Sequence, residues 1–257
     1  MSPVFKKLDK WEIIPIGYQR VNWHIIFDVK MEYFRRKSRL VAGGHVIEPP
    51  STIIYVSVVL KKTVLIELKL AELNDLPVKV MDIQNSYITT PVIEKIWTVM
   101  GLEFGEDSGR KAIVVCSIYG LKISGSAFRN HFSDCMHHLV FLPCTADLYL
   151  WMKPFLWPDD GFNYYAYVLI YVENVMVIHH DIESVLWRID KYFKLKPSPI
   201  GDAEIYLGFK LKKMRLYNGV WAWENIPARY VKELVVNVDN YLDRLADVSW
   251  QFPKKES

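Results

Sequence analysis

The stretch YYAYVLIYVENVMVI, running from Tyr164 to Ile178, decides how this chain is read. It holds two apolar runs rich in β-branched and aromatic residues, 164–172 and 175–178, with only Glu173 and Asn174 between them. Two residues suffice for a tight antiparallel turn, so the pattern predicts a hairpin with a polar tip. The stretch is shorter than the roughly 20 apolar residues that cross a bilayer, and its polar pair interrupts it. A carboxylate at such a tip is held by buried strands yet faces solvent, a geometry suited to gripping a divalent cation. The second acid that a cation would need is Asp82, inside the short apolar run VKVMDI at 78–83. Phosphoryl transfer by paired metals needs several carboxylates converging on ions roughly 3.5–4 Å apart. The alternative for an acid at a hairpin tip is a solvated turn residue.

Outward from the hairpin, residues 124–141 set Phe128, Phe132, Met136 and Leu139 at helical spacing, with Ser124 or Ser126 as N-cap and Pro143 beyond the end. Asp181 caps a helix predicted over 182–193, where Val185, Leu186, Ile189 and Phe193 share a face. Upstream, 57–73 reads as an amphipathic helix carrying Val58, Leu65, Leu68 and Leu73. Segments 96–100 and 112–118 read as a hairpin across a polar loop, 148–152 as one more strand, and 11–46 as twisted ribbons broken by Pro15, Gly17 and Gly43-Gly44. Downstream, 205–212 and 220–223 form a hairpin turning at Asn218-Gly219, followed by a helix over 228–242. Strands and helices interleave without regular alternation. That favours an α+β fold around a central antiparallel sheet, packed on helices, over a doubly wound parallel one.

Composition bounds the function. With 51% hydrophobic and 24% charged residues among 257, the chain is globular, neither disordered nor coiled coil. Its N-terminus has no apolar run of signal-peptide type and the chain has no membrane span, so an intracellular location, cytoplasmic or nuclear, is expected. Cys116, Cys135 and Cys144 are widely spaced and odd in number, which points to buried free thiols rather than a disulfide framework or zinc site. The adjacent pairs His137-His138 and His179-His180 direct their rings apart on a helix or strand, which argues against shared metal binding. The net charge of +3 conceals a basic N-terminal part, with nine Lys/Arg against five Asp/Glu in residues 1–50. The excess gathers in Lys30, Arg35, Arg36, Lys37 and Arg39, a cluster that attracts phosphates or else forms a solvated strand face. Phosphate-binding glycine loops, HExxH and GxSxG are absent.

Five blocks, in order, resemble copia-type retrotransposon reverse transcriptases. FRRKSRLVAGGH at 34–45 is similar to the fingers motif of that family, MDIQNSYI at 81–88 to polymerase motif A, and SIYGLKISGSAFR at 117–129 to its Leu-Tyr-Gly-Leu-Lys block. Tyr171 to Asn174 stands where the family has Tyr-Val-Asp-Asp, and YLGFKL at 206–211 is similar to a later Leu-Gly strand. The resemblance spans residues 11–240, about one reverse-transcriptase unit, and implies a fingers-palm architecture. Residues 1–75 would be fingers-like, 76–200 palm-like, and 201–257 the palm end and the start of a thumb-like segment.

The implied activity is RNA-directed DNA polymerisation by two-metal nucleotidyl transfer, with Mg²⁺ as cofactor and a primer-template of RNA or DNA and a deoxynucleoside triphosphate as partners. Asp82 and Glu173 would be the metal ligands and, with Asn174, the catalytic set. Lys37 and Arg39 would hold the triphosphate. Tyr87 would be the steric gate against a ribose 2′-hydroxyl. Arg35, Arg36, Tyr119, Gly120 and Lys122 would border the nucleic acid, Gly120 by letting backbone approach it closely. The departure lies at Glu173 and Asn174, where the family has paired aspartates: the first carboxylate is carried one methylene outward and the second is lost. Impaired catalysis is the expectation. Two alternatives stay open: a non-enzymatic module binding nucleic acid or protein through the basic cluster and the aromatics Trp23, Phe34 and Tyr87, or a functionless relic fragment.

Overall fold

The computed structural model describes residues 4–30, 35–48, 57–196, 205–207 and 209–249. In its first part come β1 (Phe5–Lys7), β2 (Gln19–Arg20), β3 (Trp23–Lys30), β4 (Arg35–Ala42), α1 (Lys61–Leu73), β5 (Val78–Asp82), β6 (Ile96–Val99), β7 (Lys111–Val114) and α2 (Ser124–His138). Then follow β8 (Leu142–Pro143), β9 (Leu150–Leu156), β10 (Asn163–Tyr171), β11 (Asn174–Ile178), α3 (Ile182–Asp190), β12 (Ile205–Tyr206), β13 (Phe209–Arg215), β14 (Trp221–Ile226) and α4 (Ala228–Ser249). The class is α+β with antiparallel sheets, and β2 and β6 form its parallel pair. No described helix is long and apolar enough to cross a membrane.

The central sheet has the order β5-β11-β10-β9-β8 and is antiparallel throughout. An antiparallel sheet usually leaves one face to water and then alternates polar and apolar residues. Here both faces are covered, which explains the unbroken apolar runs. Val168, Val175 and Val177 turn to one side with Phe128 and Phe132 of α2 and Val185 and Ile189 of α3. Leu169, Met176 and Ile178 turn to the other with Val64 and Leu68 of α1 and with Tyr206 and Leu211 from the sheet β12-β13-β14. A third cluster joins Ile96 and Val114 of the sheet β1-β7-β6-β2, and Val21 beside β2, to Ala42 at the end of β4. Among the described residues, β3 and β4 pair only with each other.

Several local expectations shift. The tip of the β10–β11 hairpin consists of Val172 and Glu173, because Asn174 already pairs with Tyr171. Val172 carries φ of 55°, a left-handed conformation that a β-branched residue adopts only under constraint. α1 starts at Lys61, four residues later than its apolar spacing predicts, since Leu60 is extended and Asp147 caps the helix from 87 residues away, accepting Leu60 N–H at 2.9 Å. Neither Ser124 nor Ser126 caps α2: their hydroxyls donate to the carbonyls of Ile118 and Ile123. α2 ends at His138 rather than 141, in a Schellman turn where Val140 N–H donates to His137 O and Phe141 N–H to Met136 O, both at 2.9 Å. Asp181 does cap α3, accepting Ser184 N–H at 3.2 Å, and the helix stops at Asp190. His179 and His180 converge instead of diverging, because β11 ends at Ile178 and strand alternation ends with it. Both Nδ1 atoms meet the Tyr164 hydroxyl, that of His179 at 2.5 Å. Cys116 and Cys135 are buried free thiols, and Cys144 is half-buried and free.

Candidate functional site

β5 and β11 are neighbours, and their register sets Asp82 directly opposite Asn174. Directly opposed residues point to the same face with Cβ atoms about 4.5–5.5 Å apart. Glu173 sits one step away in the turn, where its carbonyl accepts Ile83 N–H at 2.8 Å. The Glu173 carboxylate accepts a long hydrogen bond, 3.4 Å, from the Tyr119 hydroxyl. Tyr119 stacks edge-on to Tyr87, with ring centroids 4.8 Å apart. Burial pushes the Tyr119 phenol up to about 12, helped by the Glu173 charge, while the Arg39 guanidinium pulls the other way. The Tyr87 phenol is raised by burial first and then by Glu173. Tyr87 also walls an apolar cavity of about 160 Å³ with Phe128, Ile170 and Val172. Asp82, Glu173, Asn174, Tyr87, Tyr119 and Arg39 thus come from five separate places in the sequence to one neighbourhood.

The remaining residues named from the sequence are placed less directly. Arg39 lies 3.5 Å from the Asp28 carboxylate across the β3–β4 ribbon, and Lys37 pairs in register with Asp28. Arg36 is exposed; the side chain of Arg35, and Phe34 altogether, lie outside the described residues. Lys122 donates to the Ile47 carbonyl. Gly120, at φ of 91°, makes its close approach to Ala42, whose carbonyl oxygen a Cβ would strike. The backbone that needs a glycine here is the chain's own.

One participant is not legible from the motifs. Lys196 lies with its ammonium 2.5 Å from Asp82 Oδ1, an ionic contact, and this buried oxygen has no hydrogen-bond partner among the described residues. The residues around it add a short edge to the end of β5: Ile83 bridges to Leu195, and Lys196 N–H donates to Asp82 O at 2.9 Å. This donor set does not fit a two-ion clamp. Asp82 is neutralised by a lysine, Glu173 faces a phenol, Asn174 has no charge, and no group of three or more His, Cys, Asp or Glu converges among the described residues.

Residues 9–221 match the sequence model of the reverse transcriptase (RNA-dependent DNA polymerase) family. The chain belongs to that family. Among solved structures it is similar to a foamy viral protease-reverse transcriptase in complex with double-stranded DNA, at 13% identity and a TM-score of 0.46, over 80% of this chain and 30% of that one. It therefore spans about a third of that protein's length. No curated protein matches it by sequence.

Proposed function

We propose that the chain is a reverse-transcriptase module of copia-type origin that retains the polymerase scaffold and a surface for duplex nucleic acid but does not extend primers with Mg²⁺. On this reading residues 1–75 are fingers-like, 76–200 palm-like, and 201–257 the palm end and the start of a thumb. Lys37 and Arg39 take the phosphates of a deoxynucleoside triphosphate, and Tyr87 stands against its sugar. Arg35, Arg36 and Tyr119 border the primer-template, while Gly120 and Lys122 act from behind by fixing the Tyr119 loop.

The observation that carries the reading is the register pair of Asp82 with Asn174, together with the ammonium already on Asp82. Polymerisation of the family's kind needs negative charge concentrated at that point. Asn174 contributes none, and Glu173 carries its charge one methylene further out; misplacement of about 1 Å costs on the order of 10²-fold in rate.

Primer extension with Mg²⁺ tests this. The natural chain should give no product, and the double change Glu173→Asp with Asn174→Asp should give product that Asp82→Ala abolishes. Extension by the natural chain that depends on Asp82 overturns the proposal. Binding to a primer-template should weaken with salt with a log-log slope of several charges, whereas a flat profile assigns the chain to the relic reading.

A further inference from the structure

At the other end of the central sheet a cavity of about 280 Å³ opens between the C-terminus of α2, β9 and α3. Its wall includes His138, Val140, Lys153, Arg188, Lys191 and Tyr192, and no carboxylate. Lys153 pairs in register with Ala166, five residues before the end of β10, which sets the cavity roughly 17 Å along the strand from the Glu173 tip. It belongs to neither the acid pair nor the β3–β4 ribbon.

Three cations converge here with no carboxylate among the lining residues. Lys153 is half-buried, donates at 3.0 Å to the Leu139 carbonyl that caps α2, and has its pKa lowered by burial and then by the neighbouring Arg188. Arg188 is exposed and has no hydrogen-bond or ion-pair partner among the described residues. Lys191 rests its ammonium 3.4 Å over the Trp187 ring, an interaction that keeps the charge at the rim. A separate group reports the same field. His179 is lowered to about 4, first by burial and then by His180, with Lys153 and Arg188 adding to the effect and Asp181 opposing it. The carbonyl end of α2 offsets part of the Lys153 charge and leaves that of Arg188 and Lys191.

Like charges held together destabilise a fold unless an anion relieves them. A carboxylate brings one charge, a phosphate monoester or diphosphate two or more, and a guanidinium grips phosphate oxygens in pairs. We propose that this cleft is a binding site for a phosphate-bearing ligand, gripped by Arg188 and Lys191 at the rim and by Lys153 at the floor. The phosphate comes either from a free phosphorylated small molecule or from a nucleic-acid backbone.

The test is calorimetric titration of the full chain with inorganic pyrophosphate and, in parallel, with a blunt DNA duplex. Pyrophosphate should bind saturably, and the double change Arg188→Ala with Lys191→Ala should weaken it by about tenfold or more. Both side chains are exposed, so this variant should keep the natural melting temperature. The loss caused by Arg188→Ala with Lys191→Ala should be the same in a chain that already carries Lys37→Ala and Arg39→Ala, which separates this cleft from the site of the proposed function. Duplex binding that falls in the Arg188/Lys191 variant, with no response to pyrophosphate, assigns the phosphate to a nucleic-acid backbone. If neither probe distinguishes that variant from the natural chain, the proposal is overturned.

Discussion

The two hairpins that carry the charged residues of the candidate site are built in opposite ways. β10 and β11 lie inside a five-stranded sheet covered on both faces, and Val168, Val177 and Ile178 are 0% exposed. β3 and β4 form a separate ribbon that leaves Ile25, Ile26, Val29 and Phe27 exposed, the last at 80%. A two-stranded ribbon is at best marginal alone. This one is tied down at its base, where Ala42 N–H donates to Tyr119 O at 2.7 Å and the Trp23 indole donates to Thr98. The acids therefore take their positions from the covered sheet, whereas the basic side chains take theirs from a ribbon held at its base. Chemistry at the tip stands or falls with a few side chains, and binding by the ribbon depends on the contacts that hold its base.

The sharpest way to break this contrast is to place the same charge in each hairpin. Val177→Asp buries an unpaired carboxylate between the sheet and α2/α3 and should cost at least about 4 kcal/mol in urea unfolding. Phe27→Asp should stay within about 0.5 kcal/mol. Equal costs would mean that the ribbon is packed as tightly as the sheet.

The contrast also governs what the sequence made legible. The buried hairpin and the helices behind it announce themselves through local signals: apolar runs, helical spacing, and Asp181 at the head of α3. The start of α1 was hidden because its cap, Asp147, comes from 87 residues away. Lys196 was hidden for the same reason, since its place at Asp82 depends on the bridge between Ile83 and Leu195. The turn at Val172 defied reading because the two-residue hairpin turn requires a positive φ at its first central position, and valine is not a residue that signals one. Family motifs located the acids and Tyr119, but what each acid faces is a property of register and long-range pairing.

Titration offers a second, smaller test of the covered sheet. Burial raises the Glu67 carboxyl on α1 from its usual 4.5 to about 7, so the folded chain holds a proton that the unfolded chain has released. Its contribution is fully present below about pH 4.5 and is lost as pH rises through 7, a difference of up to about 3 kcal/mol. Glu67→Gln should flatten this slope, so that its gain over the natural chain in urea unfolding is larger at pH 8 than at pH 5. His179 acts in the opposite sense: lowered to about 4, it contributes stability above its usual 6.5 that is lost as pH falls towards 4.

The base of the ribbon is probed by Gly120→Ala. The new methyl group strikes the Ala42 carbonyl, and φ of 91° strains any residue other than glycine. A cost of about 2 kcal/mol is expected, together with weakened duplex binding, because the ribbon loses its tether to the Tyr119 loop. A stability loss with unchanged binding would detach the ribbon from the nucleic-acid surface.

The smallest expected change in stability belongs to Asp28→Ala, and it bears on the ribbon's role most directly. Asp28 lies opposite Lys37 and 3.5 Å from the Arg39 guanidinium, in an exposed pair of the kind that contributes roughly 0–1 kcal/mol. Removing it should move the urea midpoint hardly at all, by less than about 0.5 kcal/mol. It also deletes the negative charge set among the basic residues of the ribbon. If Lys37 and Arg39 meet phosphate, the variant should bind duplex more tightly at low salt, and its log-log salt slope should steepen by roughly one charge. A slope that stays the same, on a chain of unchanged stability, would return the ribbon to a solvated basic face and leave the covered sheet as the site's only contributor.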